Sequence, residues 1–114
     1  MRLEIPFVPP SLNKTLRMHW GKKLKLNRDW SLLIRSRMPE LYLQPFVKMQ
    51  CKITLHHSRF YDEDNAYGAV KPVVDGLKAW KLIRDDSRDY LDLTVEQAKC
   101  RRKEAHTVIE LEAA

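Results

Sequence analysis

Acidic residues gather in two short segments of this 114-residue chain, Asp62-Glu63-Asp64-Asn65 and Asp85-Asp86. Clustered carboxylates repel one another, and a divalent cation is the natural compensation. Their hard oxygens select Mg²⁺ or Mn²⁺, and carboxylates that bridge two such ions are a standard device for hydrolysing phosphodiesters. Asp62, Asp64, Asp85 and Asp86 are therefore candidate ligands for Mg²⁺, with Mn²⁺ as a substitute.

Local geometry brings some of these side chains together. In an extended chain, residues two apart point to the same side, so we expect Asp62 and Asp64 to project together. If the following segment is helical, Asp64, Lys71, Asp75 and Lys78 fall within an arc of about 60°, because a helix advances about 100° per residue. This polar face is expected to meet solvent or substrate.

The second acidic segment must fold back for the site to form. Leu82 and Ile83 can anchor the chain, so that a hairpin-like turn at Asp85-Asp86 returns to Asp62 and Asp64 and four carboxylates converge. Lys71 could then stabilise negative charge on a phosphorane-like transition state or orient the scissile phosphate.

A structural interpretation of the same acids stays open. Acid-rich turns are common as solvated loops or helix N-termini, where carboxylates favour the helix dipole. Asp75 can form an i, i+4 ion pair with Lys71 as readily as it binds metal, and Glu63 is expected to point away from the site. Asn65 and Asp75 are therefore second-tier candidates.

Hydrophobic periodicity predicts the elements that position these residues. Alternation of apolar and polar residues predicts strands near residues 3–7, 47–55, 91–95 and 108–111. Helical spacing predicts a helix that begins at an N-cap on Asn27 and stops at Pro39, after a basic loop.

A second helix is predicted over residues 65–80, and Pro72 favours a regular start near Lys71 with an irregular turn before it. The order is β-α-β-α-β-β. We therefore expect one α/β (α+β mixed sheet) domain over residues 1–114, with helices that bury the apolar face of the sheet.

The charge is strongly polarised along the chain. Residues 1–60 carry 12 Lys and Arg against 3 acids, whereas residues 61–114 carry 9 against 12. A basic half favours a polyanion such as nucleic acid, and aromatic residues among the basic ones suit contact with unpaired bases. The candidate DNA-binding residues are Lys14, Arg17, Trp20, Lys22, Lys23, Lys25 and Arg28.

Four ordered motifs resemble the RusA family of Holliday junction resolvases. They are Pro9-Pro10-Ser11-Leu12-Asn13, Asp62-Glu63-Asp64-Asn65, Lys71-Pro72-Val73-Val74-Asp75-Gly76-Leu77 and Leu82-Ile83-Arg84-Asp85-Asp86-Ser87. The family pattern places its lysine three positions after the Asp-Asn pair, whereas Lys71 lies six positions after Asn65. Lys71 therefore aligns across an insertion at residues 66–70.

The resemblance implies a homodimeric, Mg²⁺-dependent endodeoxyribonuclease that resolves four-way junctions by paired symmetric nicks, in DNA recombination and repair. The essential aspartates of the family fall on Asp62, Asp64 and Asp86, and its functional lysine falls on Lys71. A two-fold dimer also matches the two equivalent strands of a junction, with an interface at a sheet edge or near Phe60 and Tyr61.

Two rival functions remain. The same carboxylates could serve another Mg²⁺-dependent nuclease or phosphohydrolase, or the acids could be structural in a non-catalytic nucleic-acid-binding module. Neither a signal peptide nor a membrane span is indicated, so we expect no membrane partner and a cytoplasmic location. The two distant cysteines are expected to stay reduced.

Overall fold

A computed structural model describes residues 1–38 and 47–114. The elements in chain order are β1 (Arg2–Ile5), α1 (Leu12–Leu16), α2 (Trp20–Arg37), β2 (Met49–His57), α3 (Glu63–Ala69), α4 (Lys71–Ala79), β3 (Leu91–Lys99), a 3₁₀ helix (Arg102–Glu104) and β4 (His106–Ala113). The four predicted strands are confirmed, and the last two are longer than their apolar patterns indicated.

The strands form one mixed sheet in the order β1-β4-β2-β3. β4 pairs antiparallel with both β1 and β2, while β2 pairs parallel with β3 over its whole length, from Met49 against Leu91 to His57 against Lys99. Parallel neighbours need a crossover connection. Here the crossover contains α3, α4 and both acidic segments.

One face of the sheet is apolar and covered by helices. Ile53 of β2 and Ile109 of β4 are fully buried against Trp30 of α2 and Leu77 of α4, in a single core cluster. Cys51 belongs to the same cluster, and its burial raises the pKa of its thiol to about 12. The alternation predicted for β2 is confirmed by its burial pattern.

The opposite face carries the alternate, polar residues of each strand, and we call it the open face. Its lysines are paired with acids, since the Lys48 ammonium lies 3.2 Å from the Asp92 carboxylate and the Lys52 ammonium lies 3.2 Å from the Glu96 carboxylate. Within the described part of the chain, no helix is long and apolar enough to cross a membrane.

Helices α2 and α4 cross at close range because a glycine lies at their contact. A Cβ on Gly76 would stand 2.6 Å from the Ile34 side chain and 3.3 Å from the Ser31 backbone. Trp80 fixes the same crossing, since its indole N–H donates a 2.7 Å hydrogen bond to the Ser31 carbonyl. This crossing sets the position of α4 over the sheet.

The predicted basic loop before Asn27 is wrong. Helix α2 begins at Trp20, where the His19 side chain accepts from the Gly21 N–H, and the short helix α1 precedes it. The Lys and Leu residues after Gly21 are good helix formers, so the helix continues through Asn27 without using it as a cap. The predicted stop at Pro39 lies outside the described residues.

The crossover also differs from its prediction. Residues 63–69 form the regular helix α3 rather than an irregular turn, and the chain breaks at Val70 before α4 begins at Lys71. Pro72 occupies the first turn of α4, where its missing N–H costs nothing. The predicted single helix over 65–80 is therefore two helices.

Helix α4 ends in a left-handed residue that turns the chain toward Asp85. Lys81 has φ of 60°, its N–H donates to Lys78, and the N–H of Leu82 donates to Leu77. These two bonds form a Schellman motif, with the buried side chains of Leu77 and Leu82 at its ends. Glycine is the residue that usually takes this position.

We expect Lys81→Gly to stabilise the protein by about 0.5 to 1 kcal/mol, because glycine adopts the left-handed region without the cost that a side chain brings. Urea unfolding of both proteins measures the difference. As a control, Arg28→Gly in the exposed middle of α2 should destabilise by a similar amount. A loss of stability in Lys81→Gly would contradict this reading of the turn.

Candidate functional site

Asp62 and Asp64 lie at the N-terminus of α3. Asp62 is the N-cap, with φ of −58° and ψ of 155°, and Asp64 is in the first turn. The expectation that both project together from extended chain is wrong, because Asp64 is helical and its direction follows the helix. Asp62 makes no side-chain capping hydrogen bond. The Asp62 carboxylate therefore does not cap the helix by a hydrogen bond, which is the structural role expected of an acid-rich turn.

The second acidic segment returns to α4. The Lys71 ammonium lies 3.1 Å from Asp75 on its own helix and 3.1 Å from Asp86 across the turn. These carboxylates raise the pKa of Lys71 above its ordinary value, with the hydrogen bond to Asp86 as the largest cause. The anticipated ion pair between Lys71 and Asp75 is confirmed, and the break at Val70 separates Asp64 from this helical face.

A parallel link holds Asp85. The Lys78 ammonium lies 3.1 Å from the Asp85 carboxylate, which also accepts a 2.9 Å hydrogen bond from the Asp86 N–H. The bond from Lys78 is the largest cause that lowers the pKa of Asp85. Two lysines about two helical turns apart on α4 thus face two consecutive aspartates.

The described residues include suitable metal-binding carboxylates, but these carboxylates do not lie together at one point. Over residues 1–38 and 47–114, no three His, Cys, Asp or Glu side chains stand close enough to hold one ion. Lysine ammonium groups supply the compensation for Asp85 and Asp86. The donor set, carboxylates that are at least partly exposed, still matches the oxygen preference of Mg²⁺.

Gln97 fixes the segment that leads into Asp62, and the sequence analysis did not single it out. Its side-chain oxygen accepts from the Tyr61 N–H at 2.8 Å, and its amide group donates to the Tyr61 carbonyl at 2.9 Å. His57 Nε2 lies 2.8 Å from the same oxygen, so this nitrogen carries the hydrogen. A polar residue in the inward register of Leu93 and Val95 is the signal that could have identified Gln97.

The motif near the N-terminus contacts the same segment. The Tyr61 hydroxyl donates a 2.9 Å hydrogen bond to the Pro9 carbonyl, and the Asn13 N–H donates to the Asn65 side-chain oxygen at 3.0 Å. A Cβ on Gly68 would stand 2.6 Å from Leu12, so α1 packs directly on α3. Asn65 therefore joins two helices.

The predicted basic residues lie on α1 and α2 rather than on a loop. Asp29 is the only acid between residues 5 and 38, and it lies 3.7 Å from Lys25. Trp20 is 69% exposed at the start of α2, whereas Trp30 is 3% exposed in the core. The structure thus leaves one tryptophan available for an aromatic contact.

No family model matches the chain, and no curated protein is significantly similar to it.

We expect Gln97→Met to destabilise the protein by about 1 to 3 kcal/mol, because the methionine fills similar volume but leaves the buried polar groups around Tyr61 without partners. Urea unfolding measures the loss. Gln50→Met, on the exposed side of β2, is the matched control and should change stability by less than about 0.5 kcal/mol. Equal effects of the two changes would contradict the role of Gln97.

Proposed function

We propose that the chain is a Mg²⁺-dependent, structure-specific endodeoxyribonuclease that resolves four-way DNA junctions by paired symmetric nicks, as its motifs resemble those of the RusA family. The observation that carries the proposal is the contact of Lys71 with Asp86, 15 residues apart. It joins two of the four motifs at one surface, beside a helix whose N-cap aspartate makes no capping bond.

Asp62, Asp64, Asp85 and Asp86 are the residues that would hold Mg²⁺, or Mn²⁺ in its place. When bound, the ions supply an activated water and stabilise the leaving oxygen of a phosphodiester. The proposal requires Asp85 and Asp86 to exchange lysine partners for an ion. Such exposed ion pairs contribute little, roughly 0 to 1 kcal/mol, so they present a small barrier to that exchange.

Lys71 has a role of its own in the proposal. Its side chain is more than half exposed beside Asp86, and the neighbouring carboxylates raise the pKa of its ammonium and so keep it protonated. A phosphate that approaches Asp86 would therefore meet a positive charge. Once released from Asp86, the ammonium can orient the phosphate or stabilise developing negative charge on it.

The basic helix α2 is the proposed DNA surface. Its 18 residues span about 27 Å at about 1.5 Å per residue, which exceeds the width of one DNA groove. Lys22, Lys23 and Arg28 have no carboxylate within 4.0 Å among the described residues. Lys14 and Arg17 of the α1 segment extend this charge toward α3, which α1 contacts.

A non-catalytic nucleic-acid-binding module is the second candidate, favoured by the complete pairing of Asp85 and Asp86 with lysines. It predicts that junction binding persists under saturating Mg²⁺ while cleavage is absent. Another Mg²⁺-dependent nuclease or phosphohydrolase would instead cleave flap DNA or a nucleotide in preference to a junction.

We expect Asp64→Asn and Asp86→Asn each to abolish nicking of a synthetic four-way junction in Mg²⁺ while junction binding is kept or strengthened. Each change removes a proposed metal ligand together with a charge that repels phosphate. The control is Glu110→Gln, an exposed acid on the interior strand β4 of the open face, which should nick at the wild-type rate. Wild-type nicking by either site variant would refute the metal-site assignment.

We also expect a homodimer, because a junction presents two equivalent strands and each chain carries one set of acidic motifs. The edge strand β3 is the candidate contact. Sedimentation equilibrium at micromolar concentration should give about twice the 13.5 kDa chain mass. Mixed dimers with one Asp86→Asn subunit should nick a single strand, and a monomer that makes paired cuts would overturn the expectation.

A further inference from the structure

A second group of basic residues lies at the end of β3 and just after it, and the function proposed above does not use it. Lys99 is the last residue of β3, and Arg101, Arg102 and Lys103 follow in the connection to β4. The 3₁₀ helix in this connection contacts β2. It therefore stands near the loop that leads from β2 to Asp62.

The loop and the 3₁₀ helix border an open pocket of about 320 Å³. Arg59, Phe60 and Tyr61 line it from the loop, and Arg102 lines it from the 3₁₀ helix. His57, only 7% exposed, forms part of the wall. Two guanidinium-bearing residues that are 43 positions apart thus border one cavity next to the acidic motif.

Neither arginine is neutralised. In the part of the chain that the structure describes, Arg59 and Arg102 have no carboxylate within 4.0 Å, whereas Arg2 on the open face is paired with Glu4 at 3.2 Å. Lys99 adds a third positive charge, since its ammonium lies 5.4 Å from the centre of the Phe60 ring. The pocket therefore gathers positive charges, and neither of its arginines has a carboxylate partner within 4.0 Å among the described residues.

The walls of the pocket are held in place from behind. Gln97 binds both the backbone of Tyr61 and the ring of His57, and the Lys99 ammonium donates a 3.1 Å hydrogen bond to the Ser58 carbonyl. Because these bonds order the loop before any ligand arrives, a bound group would not have to organise it.

We propose that this pocket binds a backbone phosphate of the DNA strand that passes Asp62, an inference that rests on the proposed function and names a contact of its substrate. Guanidinium groups match phosphate oxygens in a two-pronged geometry, and Arg59 and Arg102 approach from separate elements. Tyr61 of the pocket wall directly precedes Asp62. A phosphate held here thus positions the neighbouring phosphodiester at the acidic motif.

The test is the salt dependence of junction binding, measured without divalent ions so that no strand is cut. Each phosphate contact contributes about −0.9 to the slope of log K against log salt on duplex DNA. Arg59→Gln and Arg102→Gln should each make this slope shallower by up to about 0.9 and weaken binding at low salt. Arg2→Gln removes the same charge from the open face and should leave the slope unchanged.

The outcomes separate the pocket from the rest of the site. Wild-type slopes in both arginine variants would overturn the proposal. The proposal would also be overturned if the pocket binds inorganic phosphate but the salt slopes for DNA stay unchanged. Phosphate binding is measured by NMR, as amide shifts of residues 57–61. A third outcome is that both variants have shallower slopes while the wild-type protein fails to nick junctions in Mg²⁺. That result would support the phosphate pocket and refute the proposed nuclease.

Discussion

The parallel pairing of β2 with β3 is the constraint on which the rest of the structure depends. A parallel neighbour cannot be reached by a tight turn, so the chain must leave the end of β2 at His57 and return to the start of β3 at Leu91. Everything between them is crossover, and the crossover contains α3, α4 and all four candidate metal ligands. The helix α4 that covers the sheet also carries Lys71 and Lys78. The two faces of α4 therefore have different roles within the crossover. Its valines pack in the core, while its lysines face the turn that carries Asp85 and Asp86.

Two kinds of compensation hold the polar groups of this region. Gln97 lies in an apolar register, where an unpaired amide would be costly. It is tolerated because its oxygen accepts from Tyr61 and His57 and its amide group donates to Tyr61. The acids are compensated differently. Asp85 and Asp86 are near water and paired with single lysines, an arrangement that is weak and therefore exchangeable. The segment that leads into Asp62 is thus held in place by hydrogen bonds, whereas Asp85 and Asp86 can exchange their lysine partners.

Much of the sheet was predictable from sequence, whereas the helices were less so. Alternation identifies β2 because one of its faces is buried, and the i, i+3, i+4 spacing of valines and Leu77 identifies α4 for the same reason. The start of α2 was not predicted, because its first turns bury little and carry no apolar stripe, so the sequence pattern favoured Asn27 as the N-cap. Helix α3 was not predicted as a separate helix, because its acids suggested an extended turn. The lysine partners of Asp85 and Asp86 depend on the Lys81 turn, and a lysine in a left-handed conformation has no sequence signal.

Paired and unpaired basic residues lie on different sides of the protein. On the open face, Arg2, Lys48 and Lys52 each have an acidic partner close by, and Glu110 and Glu112 add negative charge, so this side does not attract a polyanion. On the opposite side, α2 and the connection after β3 hold basic residues with few acids among them. A polyanion is therefore drawn to the helical side and to the carboxyl ends of the parallel strands. The acidic motifs lie along this approach, and clustered carboxylates there oppose the attraction unless a cation accompanies them. Affinity for DNA and demand for Mg²⁺ would then be linked, because the ion that neutralises the aspartates also removes the repulsion that keeps a phosphate away from them.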